Sequence, residues 1–153
     1  MNRRGLSLIE VVIVIIILGI AMLPLLIAYA NVASTGMQRE AITIATSLAQ
    51  TLMEEIESKR YDENEDPPWS ATLGPNTGET GRGTYDDVDD FNEYSENPIP
   101  GFGGYNSSVS VSYVQPEDLD APVGTTTDFK RIVVTINHSK AGNVRLVSVR
   151  QRY

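Results

Sequence analysis

Asp86, Asp87, Asp89 and Asp90 place four carboxylates within five residues. Clustered carboxylate and carbonyl oxygens are the ligands calcium prefers, which makes these four candidate calcium ligands. Their spacing does not match an EF-hand loop. A second acidic stretch, Asp62-Glu63-Asn64-Glu65-Asp66, has the alternation of such a loop, but Pro67 stands in the glycine position and Leu73 in that of the closing acid. A third ionisable group is placed differently. Glu10 stands at the edge of an apolar run, with Leu6, Leu8 and Ile9 before it and 28 charge-free residues, 11–38, after it. An acid there is costly in a membrane and marks a functional position that needs a partner. Other chemistry is excluded. The chain has no cysteine and a single histidine, His138, so a disulfide framework, a thiolate zinc site and a cysteine nucleophile are ruled out. No acid pair, nucleophile–base pair or phosphate loop stands out, and the expectation is a protein that is not an enzyme.

The charge-free run is long enough to cross the roughly 30 Å of a bilayer core as a helix. Arg3 and Arg4 precede it, which by the positive-inside tendency places the first residues in the cytoplasm and the rest outside. A cleaved secretory signal is the alternative, with Ala28-Tyr29-Ala30 as an A-x-A site. The overall mean hydropathy of -0.15 hides this segregation.

The segment Arg3-Arg4-Gly5-Leu6-Ser7-Leu8-Ile9-Glu10-Val11 resembles the class III signal of type IV prepilins and type II secretion pseudopilins. The resemblance implies cleavage between Gly5 and Leu6 by a prepilin peptidase, N-methylation of Leu6, and a role for Glu10 in filament assembly, meeting the amino terminus of a neighbouring subunit. Phenylalanine is usual where Leu6 stands. Pairing would offset the desolvation of a buried amine and a buried carboxylate. The implied partners are the peptidase, other pilin or pseudopilin subunits, an inner-membrane assembly platform and, before assembly, the lipid bilayer. The implied location is the bacterial inner membrane and then a periplasmic or cell-surface filament. Removing residues 1–5 takes the net charge from -8 to -10.

The elements that position these groups follow from periodicity. Met37, Ala41, Ala45, Leu48, Leu52 and Ile56 step by three and four, one face of a helix. The expected organisation is a leader (1–5), a membrane and polymerisation helix (6–30), its amphipathic continuation (31–60) and an exported domain (61–153). Lys59 and Arg60 are expected to close the helix, and Pro24 and Gly36 to weaken it. Residues 61–106 carry many prolines and glycines and read as an irregular loop. Its expected anchors are Tyr61, Trp69, Leu73, Tyr85, Val88, Phe91, Tyr94, Ile99, Phe102 and Tyr105. Strands are expected at 107–114, 130–137 and 143–151. In the third, parity changes between Val144/Leu146 and Val147/Val149, which suggests a bulge or burial on both faces. The fold class is α+β and pilin-like, a long helix on a small, mainly antiparallel sheet.

Charge is divided. Glu54 to Glu96 holds 14 acids and 3 bases, whereas 129–153 holds 6 bases and no acid. Pairing of the acidic loop with the basic hairpin, within or between subunits, is the simplest expectation. Alternatively, Lys130, Arg131, Lys140, Arg145 and Arg150 could contact DNA phosphates or another surface ligand. Leu48 to Ile56 and Tyr85 to Asn92 are similar to minor pilins of mannose-sensitive haemagglutinin type pili, the D-type biogenesis protein, which implies a minor filament subunit.

Overall fold

The computed structural model describes residues 7–152; the cleavage positions Gly5 and Leu6 lie outside them. One helix, α1 (Leu8–Glu57), is followed by β1 (Ser95–Glu96), β2 (Tyr105–Tyr113), β3 (Phe129–His138) and β4 (Gly142–Gln151). The chain divides into two units, Met1–Arg39 and Glu40–Tyr153, and α1 contributes to both.

In the first unit, α1 continues through Pro24 and Gly36, so neither interrupts the helix. Apolar helices tolerate proline because neighbouring groups and small backbone adjustments compensate for the lost hydrogen bond. Ser34 and Thr35 hydroxyls both donate to the Asn31 carbonyl, at 3.0 and 2.8 Å. Backbone N–H groups of Glu10 and Val11 donate to the Ser7 carbonyl, so Glu10 sits in the first helical turn.

In the second unit, Ala41, Ala45, Ala49, Leu52, Met53 and Ile56 form the buried face of α1. Met37 is exposed. Ala45, Ala49, Leu52, Met53 and Ile56 share one buried core with Val109 and Val111 of β2 and Ile132, Val134 and Ile136 of β3. Helix geometry ends at Glu57, so Lys59 and Arg60 are not in its last turn. Each binds the loop instead: Lys59 Nζ donates to the Tyr85 carbonyl (2.7 Å) and Arg60 N–H to that of Asp86 (3.2 Å).

The sheet is an antiparallel meander in the order β1-β2-β3-β4. On β2, Tyr105, Ser107, Val109, Val111 and Tyr113 are buried; on β3, Lys130, Ile132, Val134 and Ile136 are buried. These alternations share one face because Tyr113 stands opposite Lys130 and Val111 opposite Ile132. The register of β3 with β4 is continuous from Phe129↔Gln151 to His138↔Gly142, so no bulge explains the parity change. Val144, Leu146, Ser148 and Arg150 stand opposite the inward residues of β3. The first two pack on the core. The last two meet the helix end, where Ser148 Oγ bonds the Glu57 carboxylate and Arg150 donates to the Glu57 carbonyl. Val147 faces outward and is exposed. The inward face simply becomes polar where it reaches the end of α1. Gly142, with φ +72°, lets the β3–β4 hairpin turn, and the His138 ring stacks on Tyr105 with centroids 4.2 Å apart.

The expected loop is more ordered than its composition suggests. It holds short 3-10 turns at Arg82–Thr84 and Asp89–Phe91. Val88, Phe91, Ile99 and Tyr105 join the main core, and Tyr61, Trp69 and Tyr113 form a second cluster. Leu73, Tyr85 and Tyr94 pack partly buried against these clusters, whereas Phe102 is exposed.

Candidate functional site

Two parts of the chain carry groups that could act: the exposed first stretch of α1, and a buried set of charges below its end.

On α1, every large apolar residue from Leu8 to Val32 is exposed, between 44 and 84 %. Among the described residues, α1 is the helix long and apolar enough to cross a membrane. So large an apolar surface requires a non-aqueous or protein environment. Glu10 is the acid in its first turn, at the end where the helix dipole favours negative charge.

In the second unit, Lys130 is fully buried on β3. Its Nζ donates to Asp62 Oδ2 at 2.8 Å, to Asp89 Oδ1 at 2.5 Å and to the Tyr61 carbonyl at 2.7 Å. The rings of Tyr61 and Tyr113 flank it at 4.6 and 5.4 Å. Asp62 is the hub of this cluster: it also accepts from Asn64 N–H, from Ser70 N–H and Oγ, and from the Tyr113 hydroxyl. Its oxygens are spent, which removes the 62–66 stretch as a calcium loop. Buried Lys130 is also closed to a phosphate ligand. Arg131 pairs with Asp120, Arg150 with the Glu57 carbonyl, and Arg152 with Asp66. The acidic loop and the basic strands therefore do meet within one chain, through Lys130 above all.

The four aspartates of the loop are not equivalent. Asp89 turns to Lys130. Asp86 is exposed and pairs with Arg60 at 2.5 Å. Asp87 and Asp90 are fully buried. Asp89 and Asp90 N–H donate to Asp87 Oδ1 (2.9 and 3.2 Å), and Asp86 and Asp87 N–H donate to Asp90 Oδ2 (2.9 and 3.2 Å). Burial, with Asp89 and Asp90 beside it, pushes the Asp87 carboxyl up to about 8. Burial also raises Glu79, against the Asn76 N–H, and the Asp90 and Asp86 charges add to the rise.

Two carboxylates shift the other way. The Arg82 guanidinium holds Glu55 low, outweighing its partial burial. Burial raises Asp62, but its bonds from Lys130, Asn64 and Ser70 outweigh this and leave it below the usual carboxylate range. A carboxylate lowered in the folded state stabilises fully above its unfolded pKa, and that contribution is lost as pH falls through the folded value. Asp87 and Glu79, being raised, stop contributing to the pH dependence below the unfolded value. The thermal midpoint should therefore fall steeply below pH ~4, and Glu55→Gln should flatten that fall. Thermal scans from pH 7 to 2.5 check this; a midpoint at pH 2.5 as high as that at pH 4, below which the raised acids add nothing, would refute it.

A cleft of about 780 Å³ lies beside the helix end, lined by Glu57, Arg60, Tyr61, Phe129, Val149 and Arg150 among others. Its Arg60 and Arg150 already bond within the chain. The single histidine closes the hairpin, its Nδ1 accepting from Lys140 and Ala141 N–H. Sequence reasoning missed the Asp62–Lys130 hub and named Lys130 as a phosphate contact. The available signal was parity, since Lys130 has that of Ile132, Val134 and Ile136.

No curated protein and no solved structure matches the chain. Residues 1–26 match the family model of the prokaryotic N-terminal methylation motif, a type IV prepilin-like signal, and this signal runs directly into the exposed apolar stretch of α1.

Proposed function

We propose that the chain is a structural, minor subunit of a type IV pilus or related filament, anchored in the inner membrane with its first residues cytoplasmic before assembly. The single observation that carries this is the methylation motif at 1–26, continuous with an exposed apolar helix. The α+β layout, a helix over an antiparallel meander, is consistent with it. On this reading prepilin peptidase cuts between Gly5 and Leu6 and Leu6 is N-methylated. The apolar stretch of α1 then exchanges lipid for the helices of neighbouring subunits. Glu10, four residues beyond Leu6 in the sequence, meets a neighbour's amino terminus. The minor role rests on the resemblance of 48–56 and 85–92 to minor pilins.

Amino-terminal mass spectrometry of the protein from its native membrane tests the reading. The expected result is a chain beginning with methyl-leucine at Leu6. An intact Met1, or a start after Ala30, would sink it.

A further inference from the structure

We propose that Asp86, Asp87 and Asp90, with Glu79 at the rim, form a calcium site that locks the 79–92 segment onto the sheet domain. One carboxylate oxygen from each of Asp86, Asp87 and Asp90 lies within 4.8 Å of the others. Opposite ligands of a calcium ion stand about 4.6–5.2 Å apart and adjacent ones closer, so the three can share one ion.

An independent observation points to a missing ligand. Asp87 Oδ2 and Asp90 Oδ1 are buried and have no hydrogen-bond partner. Each carboxylate is already fixed through its other oxygen by two backbone N–H groups, as described above. Those bonds hold both side chains in place and leave one oxygen of each bare. Buried polar atoms without partners are rare and costly in folded proteins. A hard cation is the kind of ligand such bare carboxylate oxygens take. The exposed Asp86 provides an opening to solvent.

The surrounding charge favours the same occupant. Glu79 lies against Asp90, and Asp89 lies beside Asp87. Arg60 pairs with Asp86 and Glu63 and also feels the Asp87 charge, and Lys130 is committed to Asp62 and Asp89. The acids outnumber the bases that reach them. Magnesium demands a tighter octahedron and keeps its own waters, so a set of protein carboxylates favours calcium. The site is independent of the filament reading, because its ligands all lie in the second unit.

Equilibrium dialysis and thermal unfolding of the full chain in detergent, stripped with EGTA, test this with calcium chloride and with magnesium chloride. The expected result is one calcium per chain with a Kd on the order of 10⁻⁴–10⁻³ M, a raised thermal midpoint and weaker binding of magnesium. Asp86→Asn combined with Asp90→Asn, which keep an acceptor oxygen, should weaken binding at least ~10-fold, the effect of losing about one charged ligand. No bound calcium at about 10 mM, well above the range of weak sites, would overturn the proposal. So would binding unchanged in the double variant.

Discussion

Lys130→Met is expected to lower the stability of the sheet domain by roughly 3–5 kcal/mol, the scale for breaking a buried ion pair by removing one partner. The cause is what remains behind. Asp62 and Asp89 are both buried, and Lys130 is the cation between them. Methionine fills most of the volume but supplies no charge and no donor. The Tyr61 carbonyl also loses its bond, and the two tyrosine rings lose a cation. The contrast is Asp66→Ala. Asp66 is 92 % exposed and 3.8 Å from Arg152, so its loss is expected to cost at most about 1 kcal/mol. Urea unfolding of the full chain in detergent, followed by the fluorescence of the buried and single Trp69, measures both. A Lys130→Met loss no larger than that of Asp66→Ala would show that the two aspartates are satisfied without the lysine.

Glu10→Val is expected to leave processing intact and to reduce incorporation into filaments about tenfold or more, since a partner amine would be left unpaired among apolar helices. Valine fits the apolar run, so insertion into the membrane should not suffer. The position lies beyond the proposed cleavage bond and inside the first turn of α1, so the peptidase still meets Gly5 and Leu6 unchanged. Two readings separate the roles: the mass of the amino terminus reports processing, and the ratio of sheared-filament to membrane-bound protein reports assembly. Normal incorporation would remove the charge pairing from the mechanism. Glu10→Asp keeps the charge on a shorter side chain and should recover part of the assembly.

The elements were legible where one periodicity acts over many residues. The 3.6-residue spacing of Ala41, Ala45, Leu52 and Ile56 and the alternation of Val109, Val111, Ile132, Val134 and Ile136 each describe one buried face. The change along β4 was misread because parity alone cannot say what lies across from a strand. Ser148 and Arg150 face inward as Leu146 does, but they meet the polar end of α1. The end of the helix moved for a related reason: Lys59 and Arg60 suit the dipole, yet the Lys59 ammonium binds the Tyr85 carbonyl and the Arg60 guanidinium binds the Asp86 carboxylate. The acid cluster was legible as composition. Its division into Asp89 for Lys130 and Asp86, Asp87 and Asp90 for one another depends on contacts that no local pattern encodes.

Those contacts also join distant parts of the chain. Asp62 and Lys130 are 68 residues apart, Asp89 and Lys130 are 41, and the Tyr61 hydroxyl reaches the Thr127 carbonyl across 66. Such pairings close large loops, whose entropy is lost before any contact compensates for it. A growing chain that has not yet emerged past residue 130 has two aspartates to bury and no cation to bury them with. Burial of Asp62 and Asp89 with their charge balanced therefore requires β3, which carries Lys130. One lysine late in the chain thus ties the acidic loop to the strand that completes the core.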